Sequence, residues 1–506
     1  MKVEEKDRSE EEKDPGLWGG GAWKLYISRA LTAWGDRLWA FGLGLLLFRI
    51  YPENLTLVAA YGLTKCVLSI TLGAAIGNWI DGVQRLKAAQ TFLILQNLFV
   101  ALTCCLFGVY FHWQQEIIEA SGEWIKTVVA IVTSILALVA HLASTGSKIV
   151  VEKDWIVVIA GGNEDKLAKL NSIFRTIDLV CLNLTPILAG LLFSYSSYAI
   201  AASVIAAWNL LSVIVEYTLL ISIYKQFQEL AKKTVEAAGG GVMTKITGSF
   251  RGWSYYFRHK VRNAGLGLAF LFMTVLGFDN ITWAYSLLQC VPEYMLGLLV
   301  AVSSVFGIAG SLAFPVLRKC LGNTERAGVL GMLCLVTSLS LCVVSVWLPG
   351  SPFDPEGASE DSFNTSSHTN VTDAIEDKCS DEALRPDLTS VAVMLAGIIA
   401  ARFGLWISDL SVTQIIQENV EESKRGVFGG VQDSLNSSLN MIKFCLVLIM
   451  PQENMFGILI ILSFIFICFG ATSLFSYAVK EDKLSCCLKA KYSPARTEDH
   501  LDQPTA

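Results

Sequence analysis

Long apolar windows recur along the chain at about 24–50, 54–80, 88–112, 124–147, 169–195, 198–224, 262–289, 293–316, 325–348, 389–418, 427–451 and 453–479. At roughly 20 apolar residues per transmembrane helix, twelve such windows are twelve candidate spans, and a soluble core has no place for them. Over the 506 residues, 53% are hydrophobic and 17% charged, with a mean hydropathy of +0.50. The fold class is therefore an all-α membrane protein. Several spans contain Gly, Asn, Gln and acidic residues and should face a bundle interior or a watery cavity, a mixture more typical of carriers than of anchors.

The basic residues fix an orientation. Arg85, Lys87, Lys148, Lys153, Lys166 and Lys169, then eight Lys and Arg between 225 and 262, fall in the loops of one side, continued by Arg318, Lys319, Arg326, Lys424 and Arg425. The other side receives only Arg49, Lys126, Lys378 and Arg385, so the positive-inside rule places both tails in the cytosol. The expected organisation is a cytosolic tail over 1–23, a first lobe of six spans over 24–225, a cytosolic linker over 226–261, a second lobe of six spans over 262–480 and a cytosolic tail over 481–506. The acidic, Ser/Thr-rich segment 350–388 lies outside and offers Asn364 and Asn370 for glycosylation. The acidic start of the chain lacks the pattern of a cleaved signal peptide, so the first apolar helix is expected to be retained.

Other classes are excluded by what the chain carries. A net charge of −6 with no dense basic stripe argues against nucleic acid. The 13 cysteines lie mostly in apolar runs without a C-x-x-C pair that could start a zinc module, and imply neither such a site nor a disulfide framework. No nucleotide-binding motif, nucleophile elbow or metal-hydrolase helix is present, so an enzyme is not expected. The five histidines are scattered, and His141 reads as a hydrogen-bonded structural group or a cavity wall.

Between spans two and three, Gly77, Asp81 and Arg85 recur at intervals of four, resembling a degenerate G-x-x-x-D-x-x-x-R motif of the major facilitator superfamily. Glycine permits close helix approach, and Asp and Arg at a helix end can pair with the other lobe when an inner gate shuts. Charges also stand inside spans, where a buried ion is costly. Span one carries Asp36 and Arg37; span three carries Gln96; span six carries Asn209 and Glu216, seven residues apart and hence on nearly one face. Their oxygens suit a hard cation, or equally an interhelical hydrogen-bond network. Gly277, Asp279 and Asn280 suggest an unwound stretch in span seven. Lys443, deep in span eleven, should meet a carboxylate, with Asp279 and Asp409 as candidates, or lose its proton.

The stretches TAWGDRLWAF, RLKAAQTFLILQN, DWIVVIAG, AWNLLSVIVEY, LGLAFLFMTVLGFD, IIAARFGLW, TQIIQENV and RGVFGGVQDSLN, spread over nearly every span, together resemble the ferroportin family of cellular iron exporters. The resemblance implies the twelve-helix major facilitator fold of two six-helix lobes, and export of ferrous iron or a related divalent metal across the plasma membrane by alternating access. It implies one metal site per lobe, the first matched by Asp36, Gln96, Asn209 and Glu216 and linked in the family to calcium. Asp81, Arg85, Asp154, Arg175, Asp178, Asp409, Gln414 and Arg425 match the polar network that closes the family's cytosolic side, although each is open to a structural reading. Apart from the bound or transported cation, iron or calcium, no cofactor is expected; the partners are that ion and membrane lipid, and the carrier should act as a monomer.

The departures fall on the metal ligands. Where the family places a histidine after the first-span aspartate, this chain has Ala40; where it has the span-seven cysteine, Asn280; where it has the span-eleven histidine, Lys443. The imidazole and thiolate that suit iron, cobalt and zinc are thus gone from both sites, and Lys443 brings a positive charge to the second, where it would act as a permanent surrogate ion. The family's peptide hormone hepcidin engages that cysteine with a bound metal, so a weak or absent response is expected. Lys232, Lys233 and Lys245 are candidate ubiquitin acceptors, and Cys486 and Cys487 candidate palmitoylation sites. Two alternatives remain: a non-transporting receptor or scaffold that kept the fold, and a carrier of another solute with Lys443 as its charge partner.

Overall fold

The computed structural model describes residues 21–50, 56–232, 251–277, 282, 285–286, 288–353, 387–450 and 453–481. Its main helices are α1 (Ala22–Ile50), α2 (Thr56–Asp81), α3 (Arg85–His112), α4 (Trp124–Lys148), α5 (Glu164–Tyr195), α6 (Tyr198–Gln226), α7 (Arg262–Phe270), α8 (Glu293–Leu321), α9 (Thr324–Ser345), α10 (Thr389–Asn419), α11 (Arg425–Ile449) and α12 (Phe456–Lys480). Nine described helices are long and apolar enough to cross a membrane. Those of α1, α7 and α11 fall outside that set: α1 and α11 carry polar and charged groups along their length, and α7 is short.

Caps and breaks are local consequences of sequence. Asn163 caps α5 by accepting from Lys166 N at 3.0 Å, ahead of the acidic pair Glu164 and Asp165 in the first turn, and Asn323 caps α9 in the same way at 2.8 Å. α4 continues past Lys148 through a π-helical turn, Ile149–Trp155, and a last turn, Ile156–Ala160, and stops where Gly161 adopts φ +62°. Lys148 and Lys153 therefore belong to a helix that enters the protein, which corrects their assignment to a loop. α7 gives way to a short tight turn, Leu271–Met273, and then to non-helical backbone through Gly277. Its freed backbone groups are met by side chains: Val275 N donates to Ser463 Oγ and Thr282 Oγ1 donates to Val275 O. The unwinding thus begins several residues before the Gly277 from which it was expected; Asp279 and Asn280 lie outside the described residues.

Each lobe has its own apolar interior. In the first, α1, α3, α4, α5 and α6 surround Trp155, Phe107, Leu46 and Ile205; in the second, α7, α9, α10 and α12 surround Leu339, Met394, Leu474 and Phe456. The lobes meet along two helix pairs, α2 with α11 and α5 with α8. In the first pair the backbones touch. A Cβ on Gly73 would lie 2.7 Å from Gly430 O, and Cβ atoms on Gly77, Gly426 or Gly430 would overlap the facing backbone outright. Cys290 is disulfide-bonded, a bond that the count and placement of the cysteines did not imply. Asn364, Asn370, Lys233, Lys245, Cys486 and Cys487 lie outside the described residues.

Candidate metal site and interlobe gate

Asp36 stands near the middle of α1, one turn beyond Thr32 on the same face. That face meets three other helices. From α3, Gln96 Nε2 donates to Asp36 Oδ1 at 2.5 Å; from α4, Ser144 Oγ donates to Asp36 Oδ2 at 3.0 Å; from α6, Glu216 Oε2 accepts from Thr32 Oγ1 at 2.5 Å. Glu216 lies within electrostatic reach of Asp36, and Gln96, Asn209 and Glu216 are all buried. Asn209 donates to Ile205 O, and its Oδ1 lies 3.7 Å from where a Cβ on Gly35 would be. The four residues singled out in the sequence therefore converge. Gln96 Oε1 is buried with no hydrogen-bond partner, an acceptor oxygen beside the aspartate that a cation would satisfy. Ala40, a turn further on, is exposed and brings no ligand.

The sequence did not reveal a cation already in place. Lys148 Nζ forms an ion pair with Asp36 Oδ2 at 3.2 Å. No group of three or more His, Cys, Asp and Glu that could hold a metal occurs among the described residues, so the set is two carboxylates completed by amide and hydroxyl oxygens. Such a donor set suits hard cations over soft ones. His141 is hydrogen-bonded, Nε2 lying 3.0 Å from Ser69 Oγ.

In the second lobe a pocket of about 210 Å³ is lined by Thr274, Gly277, Arg402, Asn440 and Lys443. Its described polar lining joins Arg402 and Lys443 to one amide and one hydroxyl. Asp409, one of the two expected partners of Lys443, is instead held by Arg175 at 2.5 Å, and that guanidinium also stacks 4.7 Å from the Trp406 ring. Asp409 is thus committed to the junction between lobes.

That junction lies at the end of the bundle that carries the interlobe linker. Asp81 accepts from Gly426 N and Val427 N, both at 2.8 Å, capping α11 from the opposite lobe. Arg85 pairs with Asp154 at 2.8 Å and reaches Glu422 at 2.5 Å, while Arg425 approaches Asp154 at 3.7 Å. Gln414 donates to Glu164 O at 3.0 Å. Seven of the eight gate residues matched in the sequence thus act in or beside this interface. Asp178 differs: both its oxygens accept from Arg29 within the first lobe, at 2.6 Å, and Glu152 joins Arg29 at 2.8 Å. Sequence reasoning missed the remaining contacts. Arg318 binds Glu164 and Asp165, Lys153 binds Asp433 at 2.9 Å, Asn171 donates to Gln417 at 2.6 Å, and Ser172 and Ser311 exchange hydrogen bonds. Above them, between the lobes, opens a cavity of about 490 Å³ lined by Lys148, Glu152, Arg175, Asp178 and Asp433 among others.

Two helical lobes, a polar gate at one end and an ionisable site within the membrane-spanning part of the first lobe define a carrier of the major facilitator type. The proton:xylose symporter of that superfamily matches with TM-score 0.57 at 12% identity, over 91% of this chain and 95% of its own. A bacterial homologue of the iron transporter ferroportin, in the outward-facing state, matches with TM-score 0.73 at 23% identity, over 90% of this chain and 98% of its own. A family model described as Ferroportin1 matches residues 20–467, and the ferroportin of Canis lupus familiaris is 35% identical over 532 residues, 92% of either chain. The chain belongs to the ferroportin family.

Proposed function

We propose that the chain exports a divalent metal, with ferrous iron the first candidate, from the cytosol across the plasma membrane by alternating access. Asp36 is the anionic anchor of the ion, and Gln96, Glu216 and Asn209 complete an oxygen shell. The observation that carries this reading is the buried, unpartnered Gln96 Oε1 beside the Asp36 carboxylate. Asn280 and Lys443 at the family's cysteine and histidine positions support a single working metal site, with Lys443 standing where a second ion would be. With both tails cytosolic, the polar junction is the inner gate, closed here. The basic residues gathered at the linker end support that orientation. The protein is expected to act as a monomer, to respond weakly or not at all to hepcidin, and to be glycosylated at Asn364 and Asn370.

The test is uptake into proteoliposomes of ferrous iron, cobalt, manganese and calcium by wild type and Asp36→Ala. Metal flux that the substitution abolishes supports the reading, and manganese or calcium outrunning cobalt would follow from the loss of histidine at position 40. Absence of flux for every metal, in folded protein, would overturn it. The second reading, a carrier of an anionic solute, is favoured by Arg402 and Lys443 in one pocket. It requires that Lys443→Ala abolish transport while Asp36→Ala is mild.

A further inference from the structure

We propose that Lys148 is a tethered counter-ion of the first-lobe site, its ammonium occupying on Asp36 the position that a transported cation must take. The inference rests on the reading of Asp36 as the ion's anchor. Asp36 Oδ2 is shared by Lys148 Nζ at 3.2 Å and Ser144 Oγ at 3.0 Å, and Oδ1 is taken by Gln96 Nε2 at 2.5 Å. The carboxylate is therefore already surrounded by donors, and a metal ion has to displace one of them. Lys148 is the one free to leave. Gln96 is buried and held in the helix packing, whereas the Lys148 side chain is 43% exposed and lines the interlobe cavity. A flexible four-carbon stem lets its ammonium swing without moving α4. A destination is at hand, since Asp178 and Glu152 line the same cavity and Asp178 already lies within electrostatic reach of Lys148.

The positive surroundings extend further. Lys65, on α2, lies within electrostatic reach of Lys148, Arg37 and Asp36, so further cations stand around the Asp36 carboxylate. A divalent ion entering this field meets repulsion that the departure of Lys148 lessens. Lys148 thus acts as a specificity-determining residue. It sets a threshold of affinity below which ions are excluded, and releases the ion by returning to Asp36.

The experiment measures cobalt binding to the purified full chain by titration calorimetry and cobalt uptake in proteoliposomes, for wild type, Lys148→Gln, Lys148→Arg and Asp36→Asn. Removing the competitor should tighten cobalt binding in Lys148→Gln by about twofold to fivefold, the scale of one partly exposed ion pair. Lys148→Arg keeps the charge and should stay near wild type, whereas the tighter binding in Lys148→Gln is what a merely structural role for the side chain would not produce. Unchanged or weaker binding in Lys148→Gln, with binding lost in Asp36→Asn, overturns the tethered counter-ion and leaves the site. Unchanged binding in Asp36→Asn overturns the site itself. Should Lys148→Gln not fold, wild type with 13C-methylated lysines supplies the answer: the resonance that Lys148→Arg removes must shift on addition of cobalt, and its failure to move refutes the proposal.

Discussion

At the scale of single residues, the first lobe is organised by charges that compensate one another. Arg29 is buried and spans Asp178 and Glu152, so replacing it strands two carboxylates. Arg29→Met should lower stability by about 3–5 kcal/mol, read as a fall in thermal unfolding temperature in detergent, and a drop of less than a degree would refute the assignment. Lys443→His together with Asn280→Cys should give the second lobe a metal site, seen as a second equivalent of bound cobalt. An unchanged stoichiometry would count against Lys443 as the stand-in for a second ion. Asp36, Gln96, Asn209 and Glu216 were legible in the sequence because a polar side chain in an apolar run has few reasons to be there. Thr32, Ser144 and Lys148 were not. Hydroxyls are common in membrane helices, and a lysine at the end of a span looks like an ordinary loop positive until the helix is seen to continue.

At the scale of elements, two local deviations build the gate. The π-helical turn of Ile149–Trp155 sends three successive charges to three partners: Glu152 to Arg29, Lys153 to Asp433 and Asp154 to Arg85. A regular α-helix would spread three neighbours over about 200° of its circumference, and the wider turn narrows that spread, sending Lys153 across the junction and its neighbours to partners in the first lobe. The second deviation is the glycine contact of α2 with α11, where Gly73 faces Gly430 and Gly77 faces Gly426. Gly77→Ala drives a Cβ into a backbone carbonyl that has no side-chain freedom with which to yield. It should hold the linker end open, cutting flux by at least about tenfold while leaving that end accessible to thiol or amine labels. Full flux in Gly77→Ala would show that the two backbones need not touch. Of this arrangement the sequence displayed Gly77, through its spacing to Asp81 and Arg85, whereas Gly73, Gly426 and Gly430 gain meaning only from the opposite helix. The break in α7 was legible as a tendency near Gly277, but its start was hidden because Phe270–Met273 contains no helix breaker.

At the scale of the whole molecule, every described interlobe ion pair lies in the half of the bundle nearest the linker, from Arg318 with Glu164 and Asp165 to Arg175 with Asp409. The apolar windows made the helices and their division legible, since burial in lipid demands long uninterrupted stretches. Pairings between residues 150 to 350 positions apart left no such trace. If transport requires the lobes to rock, these contacts must part once per cycle, and a covalent bond among them must stop it. Ser172 on α5 and Ser311 on α8 are suited to this, because each hydroxyl reaches the other's carbonyl, at 2.6 and 3.3 Å, with little side chain between the two backbones. Ser172→Cys with Ser311→Cys, in a background lacking the other reactive thiols, should transport when reduced, lose metal flux on oxidation, and recover with reductant. Each single substitution should be indifferent to oxidant. Metal binding from the opposite side should persist in the cross-linked protein, because the bond fixes the gate and leaves Asp36 untouched. Continued flux through a quantitatively cross-linked pair would mean that the ion crosses without the linker end opening, and rocking of the two lobes would then be the wrong description of this carrier.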